Sequence, residues 1–126
     1  MKLEILEGTY VVVKLPFDYV LDKKIFDFQF FNITKTNSEL SLVIRDDEDF
    51  NFKEFLFEDD WNIFKFAYNL DFSMVGVLES VIKPLSENDI SVFVFSTYET
   101  DYVMFKSSNK NKIITILELL DYEFIN

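Results

Sequence analysis

From Trp61 onward the apolar residues change their spacing in a fixed order, and that order limits what the chain can fold into. "WNIFKFAYNL", residues 61–70, reads as a strand. "DFSMVGVLESVIKPLSENDI", residues 71–90, sets Val75, Leu78, Ile82 and Leu85 at helical intervals. Asp71 or Ser73 can cap that helix, Pro84 is expected to kink its last turn, and Asn88 and Asp89 close it. "ISVFVFST" and "DYVMFK" return to strand. "NKNKIITILELLDYEF" is helical again, with Asn109 or Asn111 as cap and Ile113, Ile116, Leu117 and Leu120 on one side. Phe124 and Ile125 make a last short strand.

Strand, helix, strand, strand, helix, strand is the order of the ferredoxin-like α+β fold, βαββαβ, with its helices on one face of a sheet. Residues 1–60 read as a worn copy of the same plan. "LEILEGTYVVVKLP" holds two apolar runs around Gly8, stopped by Pro16. "FDYVLDKK" allows about one helical turn. "FQFFNITKTNSELSLVIR" is a hairpin about Thr36–Glu39. "DDEDFNFKEFLFEDD" interleaves acids with Phe and reads as a solvated connection with a short strand or helix. It lacks the glycine and the alternating spacing of an EF-hand calcium loop. The expected division is a degenerate N-terminal unit, 1–60, and a C-terminal unit, 61–126.

The residue types narrow the chemistry. The chain has no histidine and no cysteine. That removes imidazole bases, thiolate nucleophiles and the soft ligands of zinc sites. Gly8 and Gly76 are the only glycines, so no phosphate-binding glycine loop can be written. Twelve basic residues face 23 acidic ones, a net charge of −11, which disfavours nucleic acid and anionic membranes. Arg45 is the only arginine. No apolar run approaches a membrane span and the N-terminus lacks a secretory layout, so the expectation is a soluble cytoplasmic protein. No cofactor, no metal and no catalysis are expected, carboxylate chemistry being the one enzymatic route left open.

Two features ask for a partner. In "ISVFVFST" one strand face carries Ile90, Val92 and Val94 and the other Phe93 and Phe95, so both faces want cover. Helices can cover one face, the other must meet the other half of the chain or a second copy, and a homo-oligomer is expected. Between the last two long strands lies "STYETD", residues 96–101. Ser96, Thr97, Glu99, Thr100 and Asp101 bring hydroxyls and carboxylates, with no Gly or Asn at the tip.

"ISVFVFSTYETDYVMFK", with the pattern I-S-x-x-x-x-S-T-[YF]-x-[TF]-D-[YF], and the G-V-L at Gly76–Leu78 resemble the ACT domain, a small-molecule sensing module of amino-acid metabolism. The likeness is to the short bacterial tandem-ACT proteins related to the CASTOR-like arginine sensors. "LEGTYVVVKLP" and "ITKTNSELSLV" extend it over nearly the whole chain. The resemblance implies two tandem ACT units and an amino acid held between units. One wall would be Ser73, Met74, Val75 and Gly76, the other Ser96, Thr97, Tyr98, Glu99 and Asp101.

The residues make chemical sense of that. A free helix N-terminus offers backbone N–H groups to a carboxylate, and Asp101 and Glu99 offer negative charge to an amino or guanidinium group. Each also has a structural reading: Gly76 as a close-packing position, Ser73 as a helix cap, Asp101 as a hairpin cap. The function expected is a non-enzymatic sensor of an amino acid or similar zwitterion. The alternative is a structural pairing module without a ligand.

Overall fold

Two apolar runs flank Gly8, and both are strands: β1 (Lys2–Ile5) and β2 (Tyr10–Leu15). Gly8 turns the chain between them with φ of 95°. The computed structural model describes residues 1–68 and 75–125. The chain divides into two units, Gly8–Asp60 and a second made of Met1–Glu7 with Trp61–Asn126. In this division the first seven residues group with the second half.

In the Gly8–Asp60 unit, β4 (Leu40–Arg45) lies between β2 and β3 (Phe31–Lys35), antiparallel to both. Val11 faces Ile44, and Val13 and Ile33 both face Leu42. Alternation puts Val11, Val13, Leu15, Leu40, Leu42 and Ile44 into one core. The expected hairpin forms: the Thr36 N–H donates to the Glu39 carbonyl at 2.9 Å. The Thr36 hydroxyl accepts from the N–H groups of Ser38 and Glu39.

Where the plan calls for helices, this unit has two 3-10 turns. One is Lys23–Asp27, started by the Asp22 carboxylate accepting from the Lys24 N–H at 2.9 Å. The other is Phe52–Glu54. Each inserts one buried residue, Ile25 and Phe52, into the core. Strand β5 (Leu56–Phe66) begins in this unit and ends in the other. The acid-rich connection therefore contains a short turn and a strand start.

In the second unit the elements are β1, the end of β5, α1 (Val77–Glu87), β6 (Val92–Ser96), β7 (Asp101–Lys106), α2 (Lys110–Glu118) and β8 (Glu123–Ile125). The strands pair in the order β6-β7-β5-β1-β8, antiparallel except for β1 and β8. The fold is mixed α+β with the ferredoxin-like succession. The two helices pack on one sheet face over Leu3, Phe64, Phe66, Val103 and Phe105.

The helices differ in detail from the sequence expectation. The N-cap of α1 is Gly76, in a left-handed conformation with φ of 80°. Asp71 and Ser73 lie outside the described residues. Val75 precedes the helix and is 93% exposed, so it is not on the buried stripe. Val81 and Leu85 are the buried residues of α1, with Val77 and Leu78 packed beside them. Pro84 sits within the helix. In α2, Ile113 and Leu117 are buried, while Leu120 lies past its end and is half-exposed. Asn109 occupies the N-cap position without a side-chain cap.

Asn88 and Asp89 do close α1. The Ile90 N–H donates to the Leu85 carbonyl and the Asp89 N–H to that of Ser86, both at 3.0 Å. That is a Schellman ending, with Asp89 at the left-handed position where glycine is usual. Asp121 does the same after α2, with Tyr122 donating to Leu117.

Candidate functional site

The hairpin between β6 and β7 is built by its own side chains. Ser96 pairs with Asp101 in the strand register, and the Ser96 hydroxyl donates to the Asp101 carboxylate. The Thr97 N–H donates to the Thr100 carbonyl at 2.9 Å. The Thr97 hydroxyl also bridges to the Thr100 backbone, donating to its carbonyl and accepting from its N–H. Hydroxyls and a carboxylate thus do the work that glycine or asparagine does at other hairpin tips.

This leaves an uneven surface. Tyr98 is 82% exposed, and Glu99 is exposed. Thr100 is the one buried polar side chain in the hairpin, and its hydroxyl finds no hydrogen-bond partner among the described residues. A buried hydroxyl without a partner is unusual and costs free energy. Residue type alone does not distinguish Thr100 from Thr97 as the buried threonine.

Strand register fixes which end of the unit this is. Lys65 pairs with Tyr102, so the hairpin tip lies at the end of the sheet where the chain leaves β5 for α1. Gly76 and the start of α1 serve the same connection. Among the described residues no side chain caps the helix start, and the Ser80 N–H reaches back to the Gly76 carbonyl at 3.0 Å. The N–H groups before it lack intrahelical acceptors and carry partial positive charge. A Cβ added at Gly76 would meet no atom within 4 Å, so the glycine is not a close-packing position among the described residues. It is required by its positive φ. Of the expected site residues, Ser96, Thr97, Tyr98, Glu99 and Asp101 share one hairpin. Val75 and Gly76 lie at the start of α1, and Ser73 and Met74 fall outside the described residues.

The sheet face away from the helices is aromatic. Phe93 meets Trp61 edge-on at 6.2 Å, Phe95 stacks on Tyr102 at 5.1 Å, and the Lys106 ammonium lies 4.6 Å from the Trp61 ring centre. Ile63 and Met104, in register on this face, are fully buried. Among the described residues no cluster of acidic side chains is arranged to hold a metal ion. No helix among them is long and apolar enough to cross a membrane.

Two helices on one face of a sheet in the order β6-β7-β5-β1-β8 define a ferredoxin-like α+β unit. The model of the ACT domain matches residues 56–118, half of the chain, and the chain belongs to the ACT domain family. A crystal structure of an Agobacterium tumefaciens protein matches 98% of this chain and 91% of its own, with a TM-score of 0.88 and 31% identity. The cytosolic arginine sensor for mTORC1 subunit 1 of Rattus norvegicus is 29% identical over 98 residues, 71% of this chain. The chain spans 29% of that sensor's length. The aspartate kinase of Clostridium acetobutylicum, described as an allosteric enzyme, shares the fold at a TM-score of 0.66 and 12% identity, over 90% of this chain and 33% of its own.

Proposed function

We propose that this chain is a non-enzymatic regulatory sensor that binds an amino acid or similar zwitterion. The ligand carboxylate meets the free N–H groups at the start of α1, and its amino or guanidinium group meets Asp101 and Glu99. Ser73, Met74, Val75, Gly76, Ser96, Thr97 and Tyr98 complete the walls, and a second copy of the chain closes the site in a homodimer. The protein works in the cytoplasm. The observation that supports this reading is a helix start, without a side-chain cap among the described residues, at the same end of one ACT unit as a carboxylate-bearing hairpin. The arginine sensor among its relatives supports an amino acid as the ligand class. No proton transfer or bond cleavage is needed, so the lack of histidine and cysteine costs nothing.

A thermal-shift screen of amino acids, followed by calorimetry, tests it. A ligand at 100 times its Kd adds about 2.7 kcal/mol to stability. Asp101→Ala should then weaken binding about ten- to a hundredfold, the loss of a charge-assisted hydrogen bond. Because Asp101 also holds Ser96, Asp101→Asn is the second variant: it keeps an acceptor for the Ser96 hydroxyl and removes the charge. Full binding in Asp101→Asn would assign Asp101 to the hairpin alone. That result would favour the pairing-module reading, which the mutual satisfaction of Ser96, Thr97 and Asp101 also supports.

A further inference from the structure

The Gly8–Asp60 unit has a hollow where the ferredoxin-like plan would put helices. Its volume is about 200 Å³, and its lining comes from the two 3-10 regions: Tyr19, Asp22 and Lys24 from one, Phe50, Asn51, Glu54 and Phe55 from the other. Tyr19 stands nearly perpendicular to Phe55, 84° at 5.5 Å, and to Phe50, 77° at 6.5 Å. Phe50 and Phe55 lie nearly parallel, 6.0 Å apart. The three rings therefore turn their faces in two directions around the hollow. All three also rest on the unit's core, which fixes them.

The polar part of the lining is unevenly used. The Asp22 carboxylate accepts from the Lys24 N–H, and the Lys24 ammonium is drawn to Asp49 at 3.4 Å. Glu54 and Asn51 make no side-chain hydrogen bond among the described residues. A hollow with aromatic walls, two carboxylates and one already paired ammonium favours a positive guest. Ring faces attract cations, and a carboxylate with an amide oxygen accepts two of the three N–H donors of an ammonium. The volume is below the roughly 300–1,000 Å³ of sites for drug-sized ligands, so it suits a head group and a few carbons.

We propose that this hollow is a second binding site, for the primary ammonium head of a small alkylamine. Glu54 and Asn51 hold the ammonium, and Tyr19, Phe50 and Phe55 enclose its carbon stem. The site lies wholly within the Gly8–Asp60 unit and does not depend on the reading of the β6–β7 hairpin.

The test is a titration of the full chain, isotope-labelled for NMR, with n-butylammonium and, separately, with uncharged n-butanol. The amine should shift the signals of Tyr19, Asn51 and Phe55 and saturate near a Kd of about 1 mM. The alcohol should leave them in place. Glu54→Gln should weaken the amine about tenfold, with Asn51→Ala as a second, milder variant and circular dichroism confirming the fold. Equal shifts from amine and alcohol, shifts that never saturate, or unchanged affinity in Glu54→Gln would each overturn the proposal. So would shifts confined to Ser96–Asp101, which would instead place amine binding at the other site.

Discussion

The two units follow one order of elements and join their strands by different means. In the Trp61 unit the strands are joined through α1 and α2, each burying two side chains: Val81 and Leu85, Ile113 and Leu117. In the Gly8–Asp60 unit the same joints are 3-10 turns that bury one residue each, Ile25 and Phe52. The cause is local. A short helix holds only when an unbroken apolar stripe packs it on the core. "DDEDFNFKEF" opens on four acids and sets Phe50 and Phe52 two apart, and in "PFDYVLDKKIFDF" Asp22 breaks the run by turning extended and taking the Lys24 N–H. Aromatic rings fill part of the space instead. The same fold order can thus carry either a continuous helical layer or a looser aromatic rim with a hollow in it.

The core substitutions should separate the units most. Phe64→Ala removes a fully buried ring under the two helices, at a cost of about 3–5 kcal/mol. Ile25→Ala, at the 3-10 turn, should cost nearer 2 kcal/mol because a short turn can settle into the space. Urea midpoints of the two variants measure this, and equal losses would mean that the turn is as rigid as the helical layer.

The two glycines give the next contrast. Gly8 has φ of 95°, and an added Cβ would come 2.8 Å from Arg45 Nε. The Arg45 guanidinium cannot easily move, since it holds Asp47 through two hydrogen bonds and Gln29 through a third. Gly76 has a similar φ but open space around it. Gly76→Ala should cost about 1 kcal/mol and Gly8→Ala about 2–3 kcal/mol, strain plus crowding. If the two melt alike, Arg45 yields and the loop at Gly8 is softer than its hydrogen bonds suggest.

The smallest effect concerns charge. Asp46 holds its proton above the ordinary carboxylate range, chiefly through desolvation and then the neighbouring Asp47. A raised value means that the folded state binds this proton more tightly than the unfolded chain. The contribution to stability is therefore present in acid and lost as pH rises through the folded value. Asp46→Asn should raise stability slightly at neutral pH, a small effect because Asp46 is exposed and screened by solvent, and should do nothing in acid. A gain that persists in acid would have another cause.

Strands and helix order were legible because period two and period 3.6 are written in single residues, as at Val11–Leu15 and Leu78–Leu85. The ends of α1 were half legible. Asn88 and Asp89 announce a stop by their side chains, whereas the start at Gly76 depends on a backbone angle. Cap reasoning pointed to Asp71 and Ser73, since it ranks residue types rather than φ values. The hairpin residues of the candidate site were legible as a polar cluster. Which of them would hold one another was not, because Ser96 meets Asp101 only through the strand register. The hollow was invisible: its lining is joined by long-range packing of Tyr19 against Phe50 and Phe55, and the segment that carries those two reads as a solvated connection.

Strand β1 has a consequence for how the chain is made. It lies between β5 and β8, pairing Leu3 with Phe66 and with Phe124. The Gly8–Asp60 unit closes through neighbours in sequence and can form while later residues are still being synthesised. The other unit cannot finish until β8 reaches β1, which the whole of the Gly8–Asp60 unit separates from it in sequence. Contacts of such long range slow folding. Until they form, β1 is an emerged strand with open hydrogen-bonding edges, the kind of segment that chaperones and misassembly compete for. A fragment starting at Trp61 would lack that strand altogether, so β5 and β8 would face each other across a missing row of the sheet.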